Sequence, residues 1–142
     1  MPSTILAIDD STKILDIIKY FLEQDGYLVK ACSDPVKGLE AAQAGGIDLI
    51  LLDIMMPGMD GYTVFDKLKK NPATKETPVI MLTAKAIILH TPKDFFYGLY
   101  GFLAKPFSKQ QLLKVVSEAI QVTKTKSTSF IAPVVEEKDD ED

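Results

Sequence analysis

Four short apolar runs in the chain each end at polar side chains that could do chemistry. The pair Asp9-Asp10 follows the first run, and Asp53, Thr83 and Lys105 stand at the ends of three later ones. Carboxylates gathered in one place raise one another's pKa unless a cation neutralises them, and Mg²⁺ accepts such ligands while leaving positions for phosphate oxygens. A lysine and a hydroxyl are further partners for phosphate. If the four ends meet, these residue types predict a phosphoryl-transfer site in which a carboxylate can itself be the nucleophile.

The apolar runs also predict the elements that would bring these side chains together. Short, nearly continuous apolar runs are typical of strands buried on both faces, and segments of helical spacing separate them. This alternation predicts an α/β fold, a doubly wound parallel sheet of five strands with helices on both faces. The carboxyl ends of parallel strands share one edge of the sheet, where ligands bind. The predicted strands are Thr4 to Ile8, Tyr27 to Ala31, Ile47 to Asp53, Pro78 to Leu82 and Gly101 to Ala104.

Polar residues that can accept a hydrogen bond from a first helical turn precede the predicted helices. One of them is followed by a first-turn proline, and another forms a capping-box pattern with Gln111. The candidate caps are Asp10 or Ser11 for the first helix, then Asp34, Asp60 and Ser108.

Composition indicates one soluble globular domain, with 142 residues, 46% hydrophobic and 25% charged. Six acids and one lysine fill residues 136–142, so the rest of the chain is nearly neutral and has no basic surface for nucleic acid. No apolar run approaches the ~20 residues that span a bilayer, and no signal-peptide pattern is present. A single cysteine, Cys32, suits a reducing compartment. We expect a cytoplasmic protein that binds neither nucleic acid nor membrane.

The composition changes near residue 124, and this change sets the predicted domain boundary. Residues 1–123 form the predicted folded domain, and residues 124–142, rich in Ser, Thr and acids, are predicted to be a disordered tail. The apolar stretch Phe130 to Val135 leaves one alternative open, a strand added to a partner or to the edge of this sheet.

Four motifs, in this order and at this spacing, are specific for one protein family. They are Asp9-Asp10, the stretch LLDIMMPGMDGY around Asp53, the LTAK that ends at Lys85, and the tripeptide KPF that starts at Lys105. On these motifs the chain resembles the receiver domain of two-component response regulators. The resemblance runs from Thr4 to about Val122 and implies the CheY-like form of the flavodoxin-like fold, with strand order 2-1-3-4-5.

The resemblance implies a role for each acid. Asp53 would accept a phosphoryl group from a sensor histidine kinase or a histidine phosphotransfer protein. Asp10, Asp53 and the backbone carbonyl of Met55 would hold Mg²⁺, for which Mn²⁺ could substitute, and Asp9 would orient the water shell of the metal.

The resemblance also implies how the phosphoryl group is held and sensed. Lys105 would pair with it, aimed by a cis bond to Pro106. The hydroxyl of Thr83 and the backbone of Ala84 would contact it. Phe102 would rotate inward on phosphorylation, which couples the chemistry to the surface. Because Phe102 stands where Tyr is commoner, this switch would depend on packing alone.

Two further sets of residues follow from the family pattern. Met55 and Lys85 lie where family members tune the lifetime of the phosphoryl group. The segment after Lys85 departs from the pattern, because Pro92 would break the usual fourth helix and favours a short helix over Lys93 to Leu99. Its apolar residues either repack the sheet edge locally or form an interface on the face of the fourth helix, fifth strand and last helix. The candidate interface residues are Ile87, Ile88, Leu89, Phe95 and Phe96.

Taken together, the sequence predicts a stand-alone receiver that signals to an unidentified protein target, with a homodimer as one possibility. It is expected to be a phosphoacceptor rather than an enzyme. One alternative is a receiver-like scaffold that acts without phosphorylation. The other is an aspartyl-phosphate phosphatase of the haloacid dehalogenase type, but such enzymes need a second acid two residues after the nucleophile, and Met55 occupies that position.

Overall fold

Strands and helices alternate along the part of the chain that the computed structural model describes, residues 2–84, 99–125 and 134–135. The strands are β1 (Thr4–Ile8), β2 (Leu28–Cys32), β3 (Leu49–Asp53), β4 (Val79–Thr83), β5 (Gly101–Ala104) and β6 (Val134–Val135). The helices are α1 (Thr12–Gln24), α2 (Pro35–Gln43), α3 (Gly61–Lys70) and α4 (Lys109–Thr125). All neighbouring strands pair in parallel, in the order β2-β1-β3-β4-β5-β6. The predicted sheet and its order 2-1-3-4-5 are confirmed, and a sixth strand is added.

Each face of the sheet has its own core, because successive residues of a strand point to opposite faces. Leu6 and Ile8 of β1 belong to the cluster formed with α2 and α3, whereas Ile5 and Ala7 belong to the cluster formed with α1 and α4. Strands β3 and β4 are buried along their whole length. A central strand held between two cores cannot shift without disturbing both, so β3 gives its last residue, Asp53, a rigid position.

The predicted caps begin the helices. Of the two candidates for α1, Ser11 is the cap, and its Oγ accepts a hydrogen bond from the Ile14 N–H at 3.2 Å. Asp10 is exposed. The capping box opens α4, since the Gln111 N–H donates to Ser108 Oγ at 3.0 Å and the Ser108 N–H donates to Gln111 Oε1 at 2.8 Å. The other two predicted caps are also observed, Asp34 for α2 and Asp60 for α3.

The two edges of the sheet are built differently. At one edge, β2 is largely exposed, and its first residue, Leu28, keeps 55% of its surface in solvent. At the other, the edge strand is β6, and every residue of its neighbour β5 is buried. The outer side of β5 pairs with β6, Phe102 opposite Val134 and Leu103 opposite Val135.

Strand β6 lies in the tail that is predicted to be disordered. The structure differs from that prediction at Val134–Val135 and matches the alternative of a strand at the edge of this sheet. The physical reason lies in β5. Its backbone N–H and C=O groups on the side away from β4 need hydrogen-bond partners, and a strand paired along that side can provide them. The remaining tail residues, 126–133 and 136–142, lie outside the described part of the chain.

The connection from α3 to β4 is closed by Lys69, which is partly buried. Its Nζ donates to the backbone oxygens of Lys75 at 3.1 Å and Thr77 at 3.0 Å, and lies 5.6 Å from the centre of the Phe65 ring. Burial lowers the pKa of Lys69 to about 8, and the negative charge of Glu76 opposes this shift only in part. The sequence predicts no role for Lys69.

Six predicted site residues lie outside the described ranges, so the structure says nothing of their roles. They are Lys85, Ile87, Ile88, Leu89, Phe95 and Phe96. None of the described helices is both long and apolar enough to cross a membrane.

Candidate functional site

Four neighbouring strands bring the predicted residues to one edge of the sheet. Asp53 is the last residue of β3 and Thr83 is the last residue of β4, whereas Asp9 and Lys105 directly follow β1 and β5. Because β1, β3, β4 and β5 are parallel neighbours, their carboxyl ends share that edge. The strand-end argument from the sequence therefore predicted correctly that these residues lie at one edge of the sheet.

Lys105 joins two of these strand ends through its ammonium group. Its Nζ donates to Asp9 Oδ2 at 2.9 Å and to Asp53 Oδ1 at 3.1 Å. Its backbone N–H donates to the Thr83 carbonyl at 2.8 Å, which extends the β4–β5 pairing by one residue. The bond from Lys105 to Pro106 is cis, as the family resemblance implied. The sequence did not indicate the contact between Lys105 and Asp9.

Three carboxylates line the pocket under this lysine. Asp9 is fully buried, Asp53 is 4% exposed and Asp10 is exposed. One oxygen from each lies within 4.8 Å of the others. The second oxygen of Asp9 accepts the Ser11 N–H at 2.9 Å, so the start of α1 holds this carboxylate in place.

The pKa of Asp53 reflects both its burial and the nearby carboxylate of Asp9. Burial raises the pKa of Asp53 to about 7, and the negative charge of Asp9 acts in the same direction. The ammonium of Lys105 lowers the pKa of Asp53, but offsets only part of the rise. For Lys105 the balance is the reverse, because burial lowers its pKa while the hydrogen bonds and charges of Asp9 and Asp53 raise it to a greater extent. The three carboxylates thus carry more negative charge than Lys105 neutralises.

The donor set fits Mg²⁺. All side-chain ligands in the cluster are carboxylate oxygens, which suit a hard divalent cation, and the exposed Asp10 leaves the pocket open to the waters that Mg²⁺ retains. A divalent cation would also offset the negative charge of Asp9, which adds to the effect of burial on the pKa of Asp53.

Gly61, the first residue of α3, contributes to the pocket and was missed from the sequence. A Cβ at this position would lie 2.6 Å from the Cα of Ile54, which is too close for any side chain. The Gly61 N–H donates to the Ile54 carbonyl at 2.8 Å, so α3 begins directly against the residue that follows Asp53. The only sequence signal for this close approach is a glycine directly after the cap Asp60.

The predicted switch residues lie beside the pocket. Thr83 is 2% exposed, and its hydroxyl donates to the carbonyl of the exposed Ala84 at 3.0 Å. Phe102 is 2% exposed and lies in the same apolar cluster as Leu99 and Met81. The ring is thus already buried in this structure, and its rotation on phosphorylation stays a prediction.

Met55 lies at the mouth of the site. It follows β3 by two residues, and 66% of its surface is exposed. A large, exposed apolar side chain next to a buried carboxylate can shield that carboxylate from water. This position agrees with the predicted influence of Met55 on phosphoryl lifetime, which stays a prediction.

Comparison with solved structures identifies the same architecture in receiver proteins. A response regulator receiver domain protein from Clostridium thermocellum is 31% identical, with a TM-score of 0.79, over 87% of this chain and 98% of that one. The chemotaxis protein CheY4 of Vibrio cholerae is 30% identical, with a TM-score of 0.74, over 84% of this chain and 99% of that one.

Curated relatives are longer proteins. The uncharacterized transcriptional regulatory protein YkoG of Bacillus subtilis is 36% identical over 123 residues, which are 87% of this chain and 53% of that protein. The DNA-binding dual master transcriptional regulator RpaA of Synechocystis is 38% identical over 119 residues, 84% of this chain and 49% of that protein. The chain thus spans about half the length of these relatives.

The family model described as the response regulator receiver domain matches residues 5–117. This match covers β1 to β5 and most of α4, and includes all the strand ends that form the pocket. The chain belongs to the response regulator receiver family.

Proposed function

We propose that this chain accepts a phosphoryl group on Asp53 from the phosphohistidine of a sensor histidine kinase or a phosphotransfer protein. One observation carries the proposal: Lys105 spans Asp9 and Asp53 at 2.9 and 3.1 Å, inside a cluster of three carboxylates. The cluster provides a nucleophile and a cation site, and the lysine provides a positive charge for the incoming phosphoryl oxygens.

The transfer is a displacement at phosphorus. A carboxylate oxygen of Asp53 forms the new O–P bond, the N–P bond of the phosphohistidine breaks, and its electron pair returns to the imidazole. Lys105 moves its contact from the Asp53 oxygen to the phosphoryl group. Asp9 keeps the lysine oriented, because it is fully buried and is held by the Ser11 N–H.

Asp10, Asp53 and the Met55 carbonyl would hold Mg²⁺ or Mn²⁺, with Asp9 acting through the metal's water shell. Bound Mg²⁺ supplies positive charge that neutralises the carboxylates and the phosphoryl oxygens. Burial and, to a lesser extent, the negative charge of Asp9 raise the pKa of Asp53 to about 7, and a bound cation would offset the effect of that charge, which supports this assignment.

The signal leaves the site through Thr83 and Phe102. In the structure the Thr83 hydroxyl donates to Ala84, so it has to rotate to reach a phosphoryl oxygen on Asp53. That rotation changes the space beside β5, in which the buried ring of Phe102 lies. The two residues thereby link phosphorylation to the surface near β5.

The receiving partner is a protein that binds this surface. The names of YkoG and RpaA refer to transcriptional regulation, and RpaA is named as DNA-binding, but both proteins are about twice as long as this chain. For this chain the proposal extends to a phosphorelay that acts on a downstream protein, with a homodimer at the same surface as a further expectation.

Labelling with a small phosphodonor tests the proposal. The wild type, incubated with phosphoramidate and Mg²⁺, should gain one acid-labile phosphoryl group by intact-protein mass spectrometry, and Asp53→Asn should gain none. The matched control is Asp66→Asn, which removes an exposed aspartate that pairs with Lys70 on the surface of α3, and which should label like the wild type.

Two results would contradict the proposal. Undiminished labelling of Asp53→Asn would exclude Asp53 as the acceptor. A wild type that neither labels nor responds to beryllofluoride with Mg²⁺ would favour the scaffold that acts without phosphorylation.

A further inference from the structure

The outer edge of β5 is occupied by the chain's own C-terminal strand. Val134 pairs with Phe102 and Val135 pairs with Leu103, in parallel. Parallel neighbours need a crossover connection, and α4, which lies between β5 and β6 in the chain, provides it. Residues 126–133, the eight residues between the end of α4 and the start of β6, can span up to about 26 Å when extended. This reach allows the same chain to form β6 beside β5.

β5 is also the strand that brings Lys105 to the pocket. Lys105 stands two positions after Leu103, the last residue of β5 that pairs with β6. Its N–H continues the pairing with β4 through the Thr83 carbonyl, and its Nζ lies 3.1 Å from Asp53 Oδ1. Any loosening of β5 therefore reaches the lysine directly.

A four-residue strand paired on one side only opens more readily than one paired on both sides. β5 has β4 on its inner side and β6 on its outer side, and its buried residues anchor it in both cores. The second partner reduces the backbone freedom of β5, and with it the freedom of the residue that follows.

We propose that the strand Val134–Val135 braces β5 and so holds Lys105 in position, and that docking of this strand and binding of a phosphoryl group at Asp53 favour each other. The bracing of β5 is inferred from its pairing with β6 alone, whereas the coupling to phosphoryl binding rests on the proposed function. Coupling of this kind is reciprocal, so a tail that strengthens phosphoryl binding must itself be held more tightly in the phosphorylated protein.

Two substitutions at one position test the bracing. Val134→Pro removes the backbone N–H and disfavours the strand, while Val134→Thr keeps both the N–H and a β-branched side chain. Amide hydrogen exchange followed by NMR, without any phosphoryl mimic, should be about tenfold faster at Lys105 and along β5 in Val134→Pro, and unchanged in Val134→Thr. Amides of β2, at the opposite edge, should exchange alike in all three proteins. Deletion of residues 126–142 should act like the proline.

Binding of beryllofluoride in the presence of Mg²⁺ tests the coupling in the same proteins. We expect about fivefold weaker binding by Val134→Pro and by the deletion, and unaltered binding by Val134→Thr.

The two measurements separate the ways in which the inference could fail. Equal exchange at Lys105 in all variants overturns the bracing, and exchange along β5 that depends on protein concentration assigns the edge to a second copy and overturns the intrachain strand. Faster exchange with equal beryllofluoride affinity overturns the coupling. A wild type that does not bind beryllofluoride overturns the proposed function and the coupling together, while the exchange data still decide the bracing.

Discussion

Lys105 and Lys69 are both partly buried, yet their surroundings shift their pKa values in opposite directions. Lys105 contacts the carboxylates of Asp9 and Asp53, which raise its pKa, whereas Lys69 contacts two backbone carbonyls, and burial lowers its pKa to about 8. Both ammonium groups lose water, but Lys105 contacts two carboxylates, whereas the charge of Glu76 offsets the effect of burial on Lys69 only in part. The charge of the contacting groups, rather than burial itself, decides the direction in which the pKa of each lysine moves.

This contrast matches the places of the two lysines in the fold. Lys105 follows the buried strand β5 at the edge where the carboxyl ends of the strands meet, and Lys69 lies at the end of α3, where it closes a surface connection. Lys105 is therefore expected to serve the chemistry of Asp53, and Lys69 the local structure of the α3–β4 connection.

The largest expected effect is on phosphoryl uptake. Lys105→Met keeps most of the side-chain volume but removes the charge that faces Asp53. Removing one preorganised stabilising group from a phosphoryl-transfer site should slow phosphoramidate labelling about a hundredfold. Lys69→Met and the exposed Lys70→Met, labelled in parallel, should match the wild type.

The contrast would fail if Lys105→Met labelled as fast as Lys70→Met. Lys105 would then be a structural partner of the acids, with no part in the transfer.

The second effect is on titration. Side-chain NMR of the lysine Nζ groups should show Lys69 losing its proton near pH 8 and Lys105 only above the ordinary lysine value of 10.5. Between pH 8 and 10.5 the folded protein holds fewer protons at Lys69 than the unfolded chain does, so this group's contribution to the free energy of unfolding should rise with pH. A wild type whose stability changes across this window just as that of Lys69→Met does would contradict the lowered pKa.

The smallest effect is on stability at neutral pH. Lys69→Met loses two hydrogen bonds to partly exposed carbonyls, but it also removes a charge that burial disfavours and keeps apolar contact with Phe65. The free energy of unfolding in urea should change by no more than about 1 kcal/mol. A loss of several kcal/mol would show that the ammonium itself holds the α3–β4 connection together.

The sequence predicted which residues lie together better than it predicted these two environments. Asp53, Thr83 and Lys105 could be placed at one edge because each stands at the end of an apolar run, and strands of one parallel sheet end at one edge. The contact of Lys105 with Asp9 joins the ends of β1 and β5, which are separated in the sheet by β3 and β4, and it depends on side-chain conformations that no local pattern encodes. Lys69 resembled any surface lysine near a helix end.

The edge of the sheet shows the same limit of sequence reasoning. Composition favoured a disordered tail, because Ser, Thr and acids surround Val134–Val135. What the composition did not show is that β5 is buried along its length and presents an outer edge that a short strand can pair with. Pairing across a sheet is a property of the partner strand as much as of the segment that docks.

Chemical mapping of the acceptor tests the central claim most directly. Borohydride reduces an acyl phosphate on a carboxylate to the alcohol, so protein labelled by phosphoramidate in Mg²⁺ and then reduced should carry homoserine in place of aspartate at the acceptor. Peptide mass spectrometry should find this conversion at position 53 and leave Asp9 and Asp10 unchanged. Conversion at Asp9 or Asp10 with Asp53 intact, or no conversion in a protein that has gained phosphate, would contradict the account.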